Sequence, residues 1–199
     1  MIIVQVGSNR GDTDNDPVYK LISSLDNLED IKLILIEPHP KAKKFLEETY
    51  NKINDKIILN CAVGSYSGVC KFYTNNEWED HVSQHSSLNR QHLIEHNHAD
   101  SSITEYYIPI LTLQSILDGL DIKEIDYLQV DTEGHDREIL TNFPFEKYKI
   151  KKLQFEIAHW DAPHKNNTGN NFIENLKSKG WTFSDKTEID VILTNDGDI

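Results

Sequence analysis

The sequence predicts an open, doubly wound α/β fold built on one mostly parallel sheet. Short, almost wholly apolar runs at residues 2–6, 31–36 and 125–130 read as strands buried on both faces, as a parallel sheet requires. Amphipathic helical stretches alternate with the first of these runs in β-α-β order. The first run breaks straight into Gly7-Ser8-Asn9-Arg10-Gly11 ahead of a helix. Sheets of this kind bind ligands beyond the carboxyl ends of their strands, at a helix N-terminus.

Taken in order, the first strand at 2–6 is followed by Asp14-Asn15-Asp16-Pro17, a helix start with an Asp cap and Pro at the first helical position. Val18, Leu21, Ile22, Leu25 and Leu28 recur at helical spacing and form one core-facing stripe. Residues 31–36 are the second strand, and Pro38 and Pro40 stop it, so Glu37 stands at its carboxyl end. Residues 41–53 form a second helix with Ala42, Phe45, Leu46 and Ile53 inward. Residues 56–63 read as the third strand, 64–68 as a hairpin turn and 69–73 as the returning strand.

Residues 74–105 are polar, weakly patterned and hold five of the nine histidines. A loop this long in a compact domain is usually functional. No helix precedes the first strand in this sequence, so 75–105 is expected to be a lid or substrate loop over the ligand. Strand character resumes at 106–113, and 113–120 reads as a short helix closing at Gly119. Residues 125–131 are the fourth core strand and run into a helix that begins within 132–138 and ends at Phe143-Pro144. A fifth strand covers 152–157, and a last helix covers 170–179 with Phe172, Ile173 and Leu176 inward and Gly180 at its end. Residues 181–184 and 189–194 form a closing strand pair, and 196–199 a loose tail.

A length of 199 residues with no internal repeat suits a single domain, 1–199. No apolar run approaches the ~20 residues that span a bilayer, and no basic, then apolar, leader precedes the first strand. Cys61 and Cys70 lie in apolar stretches without metal-ligand spacing and read as buried thiols of a reducing, cytoplasmic compartment. A net charge of −13 argues against nucleic acid and anionic membrane surfaces as partners.

The glycine loop narrows the choice of ligand. A dinucleotide fingerprint needs glycine at the first, third and sixth positions, which here are Gly7, Asn9 and Asp12. A Walker loop is excluded, since no Gly-Lys-Ser/Thr follows. Turn-forming residues at alternate positions, Gly7, Asn9 and Gly11, fit a loop that holds S-adenosylmethionine, and Asn tolerates the left-handed region better than most residues. The competing reading is an ordinary tight turn. Glu37, ending an apolar strand, is placed to accept hydrogen bonds from ribose hydroxyls, against a surface residue in a turn.

Asp131, Glu133, His135, Asp136 and Glu138 are the densest ionisable cluster in the chain. The helix macrodipole accounts for Asp136 and Glu138 but not for Asp131, which continues an apolar strand. Glu156 lies within an apolar run and needs either a structural cation or the active site beside it. His92-Leu93-Ile94-Glu95-His96 matches the inverted zinc-peptidase pattern, but the surrounding fold is wrong for that chemistry.

Val4-Gln5-Val6-Gly7-Ser8-Asn9-Arg10-Gly11, Ile36-Glu37-Pro38-His39-Pro40, Asn60-Cys61-Ala62-Val63-Gly64, Ser86-Ser87-Leu88, the Leu113 segment, Val130-Asp131-Thr132-Glu133-Gly134-His135-Asp136 and Glu156 form an ordered set. As a set they resemble the FkbM family of S-adenosylmethionine-dependent methyltransferases, from Val4 to about residue 160. The resemblance implies a class I methyltransferase (Rossmann-like) sheet of seven strands, mostly parallel with an antiparallel closing strand. It also implies O-methylation, often of a sugar, glycan or natural-product hydroxyl. The family usually carries Asp where this chain has Gln5, and that Asp helps anchor the methionine end of the cofactor.

By position, Gly7, Ser8, Asn9 and Gly11 would cradle the methionine part, Glu37 the ribose, and Asn60, Cys61 and Ala62 the adenine. Asp131, Glu133 and His135 are the candidates for base and substrate orientation, with Asp131 also close to the cofactor. Glu156 and His159 sit at the next strand end, on the side of a small-molecule or saccharide acceptor. The carboxylates of Asp131, Glu133 and Glu156 suit a divalent cation such as magnesium, although no metal ligand is assigned. The alternative function is a catalytically inactive binding module that kept the fold and lost the chemistry.

Overall fold

The structure, a computed structural model, describes residues 1–13, 15–75, 85–158, 160, 168–187 and 189–195. The amino-terminal half runs β1 (Ile2–Val6), α1 (Pro17–Ser23), β2 (Lys32–Ile36), α2 (Ala42–Thr49), β3 (Asp55–Leu59), β4 (Ala62–Val63) and β5 (Gly68–Asn75). It continues through α3 (Arg90–Glu95), β6 (Ile103–Leu111), α4 (Leu113–Gly119), β7 (Glu124–Val130) and α5 (Asp136–Thr141). β8 (Lys149–Glu156), α6 (Thr168–Ser178), β9 (Thr182–Lys186) and β10 (Asp190–Thr194) complete it.

Seven strands form the main sheet in the order β3-β2-β1-β7-β8-β10-β9. β1 pairs in parallel with β2 on one side and β7 on the other, and β10 is antiparallel to both β8 and β9. The strand order reverses at β1, which opens a crevice beyond the carboxyl ends of β1, β2 and β7. Alternate residues supply two cores. Ile3, Leu33 and Leu35 pack with Val18 and Ile22 of α1 and Leu46 of α2 on one face. Val4, Val6, Leu128, Val130 and Phe155 pack with Leu117, Leu140 and Leu176 of α4, α5 and α6 on the other. Burial on both faces is the reason these strands read as continuous apolar runs.

The structure corrects the sequence-based outline in the middle of the chain. The predicted third strand breaks at Asn60-Cys61 into β3 and β4, and the two join different sheets. β5 does not return along β3. It pairs antiparallel with β6, while β4 pairs parallel with β6, giving a small sheet in the order β4-β6-β5. The stretch 74–105 is not a plain loop, since it contains α3, capped by the Asn89 side chain accepting from Gln91 N–H. Helix α1 ends at Ser23, yet Leu25 and Leu28 still pack against its core. Among the described residues, no helix is long and apolar enough to cross a membrane.

Candidate active site

The loop after β1 is shaped by three alternate residues. Gly7, Asn9 and Gly11 all have left-handed backbones, with φ of 82°, 46° and 74°. This arches the chain so that Gly7 N–H and Ser8 N–H both donate to Ile36 C=O, at 2.9 and 3.2 Å. Gly7 is required twice over, because a Cβ there would also overlap the Asp131 carbonyl. A Cβ at Gly11 would instead lie 2.6 Å from the Tyr50 ring and 2.9 Å from Leu46, so this glycine seats the loop on α2 and its margin.

A cleft enclosing about 940 Å³ of space, partly open to solvent, lies at the switch in strand order. Gly7 and Asn9 line it from the loop, Glu37 from the end of β2, and Cys61 and Ala62 from the start of β4. Asp131, Glu133 and His135 line it from the turn after β7.

Four other residues marked in the sequence do not line this cleft. Ser8 is fully buried, and its hydroxyl donates to Gln5 C=O at 3.2 Å and accepts from Ile36 N–H at 3.2 Å, so it braces the sheet. Gly11 faces α2, as above. Asn60 turns its amide away, donating to Glu37 C=O at 2.8 Å and His39 C=O at 2.9 Å. Glu156 is buried at the end of β8, register-paired with Asp190 on β10. His159 lies outside the described residues.

Glu37 is held in place by backbone. Its carboxylate accepts from Asn9 N–H at 2.8 Å and His39 N–H at 2.9 Å. Both bonds favour the ionised form, but desolvation at 7% exposure outweighs them and pushes its pKa up to about 7. An acid raised in this way has no effect on stability below its ordinary value, because folded and unfolded states are then both protonated. It costs stability increasingly as pH rises to 7, and the cost then levels off. The ligand-free Glu37→Gln protein is therefore expected to gain on the wild type between about pH 4.5 and pH 8, by on the order of 3 kcal/mol. Urea unfolding of both proteins at each pH measures this, and the pairing cancels the opposite contribution of buried His39, whose pKa is lowered to about 3. A gap that does not move with pH would contradict a raised carboxyl.

The turn after β7 concentrates charge. Burial and then the neighbouring carboxylates of Asp136, Glu133 and Glu156 hold the Asp131 carboxyl well above its usual range. Asp136 is buried and likewise raised, and its Oδ2 accepts from Thr132 N–H at 3.1 Å and Thr132 O–H at 2.7 Å. His135 is lowered by burial and is therefore neutral at pH 7, with Nε2 3.2 Å from Glu138. Glu133 and Gly134 are consecutive left-handed residues, with φ of 53° and 97°. Strain at Glu133 is held by Ser87 O–H donating to its carbonyl at 3.3 Å and by His92 Nε2 3.3 Å from its carboxylate.

Ser86, Ser87 and Leu88 also line the cleft. Ser87 is clamped to β5 by reciprocal backbone bonds with Tyr73 at 2.9 and 3.0 Å. Within the stretch expected to form a lid, only 86–88 line the cleft among the described residues, and 76–84 lie outside the described set. Of the zinc-peptidase pattern, His96 stacks on His85, and His92 meets the His85 ring edge-on and lies beside Glu133. Among the described residues, no three His, Cys, Asp or Glu side chains are arranged to hold a metal ion.

Among the cleft residues that sequence reasoning did not assign to the site are Asp16, Phe72 and Gln129. Gln129 carried a usable signal, a polar residue inside an apolar strand two positions before Asp131. Its wall position reveals a wider pattern. Gln5, Asn9 and Gln129 line the cleft, and their side-chain amide oxygens are buried with no hydrogen-bond partner among the described residues. The carboxylates of Asp16, Glu37, Asp131 and Glu133 line it too, and no Lys or Arg does among the described residues. Unpartnered buried acceptors are costly, so these walls complement a cationic ligand rich in hydrogen-bond donors. S-adenosylmethionine fits that description.

The strand order, the arched loop and the crevice at the switch point are those of the class I methyltransferase fold. The chain belongs to the FkbM methyltransferase family: the model for the methyltransferase FkbM domain matches residues 5–197. No curated protein matches the chain in sequence. Among solved structures it is similar to the FkbM methyltransferase from Methylobacillus flagellatus KT, at 14% identity and a TM-score of 0.53, over 96% of this chain and 42% of that one. It is also similar to the Methanococcus jannaschii fibrillarin pre-rRNA processing protein, at 12% identity and a TM-score of 0.50, over 99% of this chain and 67% of that one. Identities this low show a shared fold. The chain spans about two fifths of the length of the Methylobacillus protein.

Proposed function

We propose that the protein is an S-adenosylmethionine-dependent O-methyltransferase whose acceptor is a hydroxyl of an uncharged sugar, glycan or natural product. The observation that carries this is the donor-seeking wall of the cleft: the unpartnered amide oxygens of Gln5, Asn9 and Gln129 among carboxylates, with no lining Lys or Arg among the described residues. When bound, S-adenosylmethionine supplies a methyl group already activated by its sulfonium. Glu37 accepts from the ribose hydroxyls, and Cys61 and Ala62 form the wall against adenine. Asn60 acts from behind that wall by tying its two turns together.

A hydroxyl acceptor must be aligned and must lose its proton during or after transfer. Asp131, Glu133 and His135 serve that end. His135 is neutral at pH 7 and competent to take a proton. Asp131 keeps its proton to higher pH than an ordinary aspartate in the ligand-free protein, and a positive charge entering the cleft lowers its pKa and readies it as a base. The same carboxylates repel an acceptor that carries phosphate, which is why an uncharged one is favoured over a nucleotide sugar. Free Cys61 and Cys70 support a reducing, cytoplasmic setting.

Titration of S-adenosylhomocysteine into the pure protein, followed by a methyl-transfer screen over free glycosides, natural-product alcohols and nucleotide sugars, tests the proposal. Saturable binding and transfer to an uncharged hydroxyl are expected. No binding would sink it. Binding without transfer to any acceptor would favour an inactive binding module instead.

A further inference from the structure

We infer that Gln5 and Asp16 together form the seat for the ammonium group at the amino-acid end of the cofactor. The inference rests on the proposed function and assigns a part of the cleft that the loop glycines do not explain.

Asp16 is the N-cap of α1. One carboxylate oxygen accepts from Tyr19 N–H at 2.8 Å and the other from the Gln5 side-chain amide N–H at 2.8 Å. The cap accounts for the first bond, and Asn or Ser would serve there equally well. It does not account for a charged group at 8% exposure in the cleft wall, where desolvation disfavours the ionised form. Asp12 lies near enough to add to that penalty, and no Lys or Arg lines the cleft among the described residues. Asp16 is thus a buried acid waiting for a cation.

Gln5 points to the same missing group independently. It lies mid-sheet at 1% exposure, in register with Leu35 on β2 and Gln129 on β7. An apolar side chain would satisfy that position. Its amide nitrogen must face the Asp16 carboxylate, which accepts only, so the orientation of the amide is determined. The oxygen is turned the other way and has no partner among the described residues, although Gln5 lines the cleft. An ammonium carries three N–H donors and a positive charge. It satisfies the Gln5 oxygen, shares the Asp16 carboxylate and removes the cost of burying that charge. The charge on Asp16 thereby does the work that an acid on the first strand would do, from one helix start away.

Two ligands separate this seat from the rest of the cleft: S-adenosylhomocysteine, and 5′-methylthioadenosine, which keeps the nucleoside and sulfur but lacks the amino-acid end. Asp16→Asn keeps a capping oxygen and removes the charge. By calorimetry it is expected to weaken S-adenosylhomocysteine tenfold or more and to leave methylthioadenosine within twofold of the wild type. Gln5→Met, close in shape but without the acceptor, is expected to give a smaller loss with the same selectivity, and it decides the matter alone if Asp16→Asn does not fold. Equal losses for both ligands, or no loss for either, overturn the ammonium seat while leaving the proposed function standing. A wild type that binds neither ligand overturns both.

Discussion

Gly7→Ala is expected to lower the melting temperature by about 10 °C and to abolish cofactor binding. The new methyl group would overlap the Asp131 carbonyl at the point where the loop after β1 passes the end of β7. The backbone there is left-handed, at φ 82°, which costs any residue with a Cβ roughly 1–2 kcal/mol. Overpacking against fixed backbone adds roughly 1–3 kcal/mol. A protein of this size loses about 2–4 °C per kcal/mol. Any relaxation must push the loop and the Asp131 turn apart, and both are walls of one cleft. Calorimetric melting and S-adenosylhomocysteine titration read the two effects. A melting point within 2 °C of the wild type, or intact binding, would show that the loop does not need this close approach.

Asp131→Asn is expected to reduce turnover by roughly 10²–10⁴-fold, the usual share of a general base, with the fold intact by circular dichroism. The direction of the pH dependence follows from the raised carboxyl. In the free enzyme the Asp131 carboxyl is raised well above the ordinary aspartate range, because burial and four neighbouring carboxylates oppose its charge. The base form therefore grows as pH rises, and kcat/KM climbs along an ascending limb displaced to higher pH than an unperturbed aspartate gives. The Asn variant loses that limb along with the rate. Stability is expected to hold or rise at neutral pH, since a crowded carboxyl has been removed. Full activity would take Asp131 out of the chemistry and leave Glu133 and His135 to carry it.

The parts of this architecture that were legible in the sequence are those with a one-dimensional signature. β1, β2 and β7 are buried on both faces, so each reads as a mostly apolar run. The loop is legible because only glycine or asparagine sits easily at φ values of 82°, 46° and 74°, and the chain places them at alternate positions. What stayed hidden depends on partners far along the chain. The pairing of β5 with β6 rather than β3 follows from the break at Asn60-Cys61, and nothing local announces it. Helix α3 has only six residues, too few for a periodic stripe. Asp16 looked complete as a helix cap, and only its position beside the orphaned Gln5 oxygen gives it a second role.

The Asn60 bridge has a consequence for ligand design. By bonding to the carbonyls of both Glu37 and His39, it ties the end of β2 to the segment leading into β4, so two walls of the cleft are joined as one jaw. The ordering of that jaw is already settled at folding, and a ligand does not have to supply it. On the proposed function, bare adenosine analogues are therefore expected to make efficient starting fragments for inhibitors, with the amino-acid tail grown afterwards for selectivity.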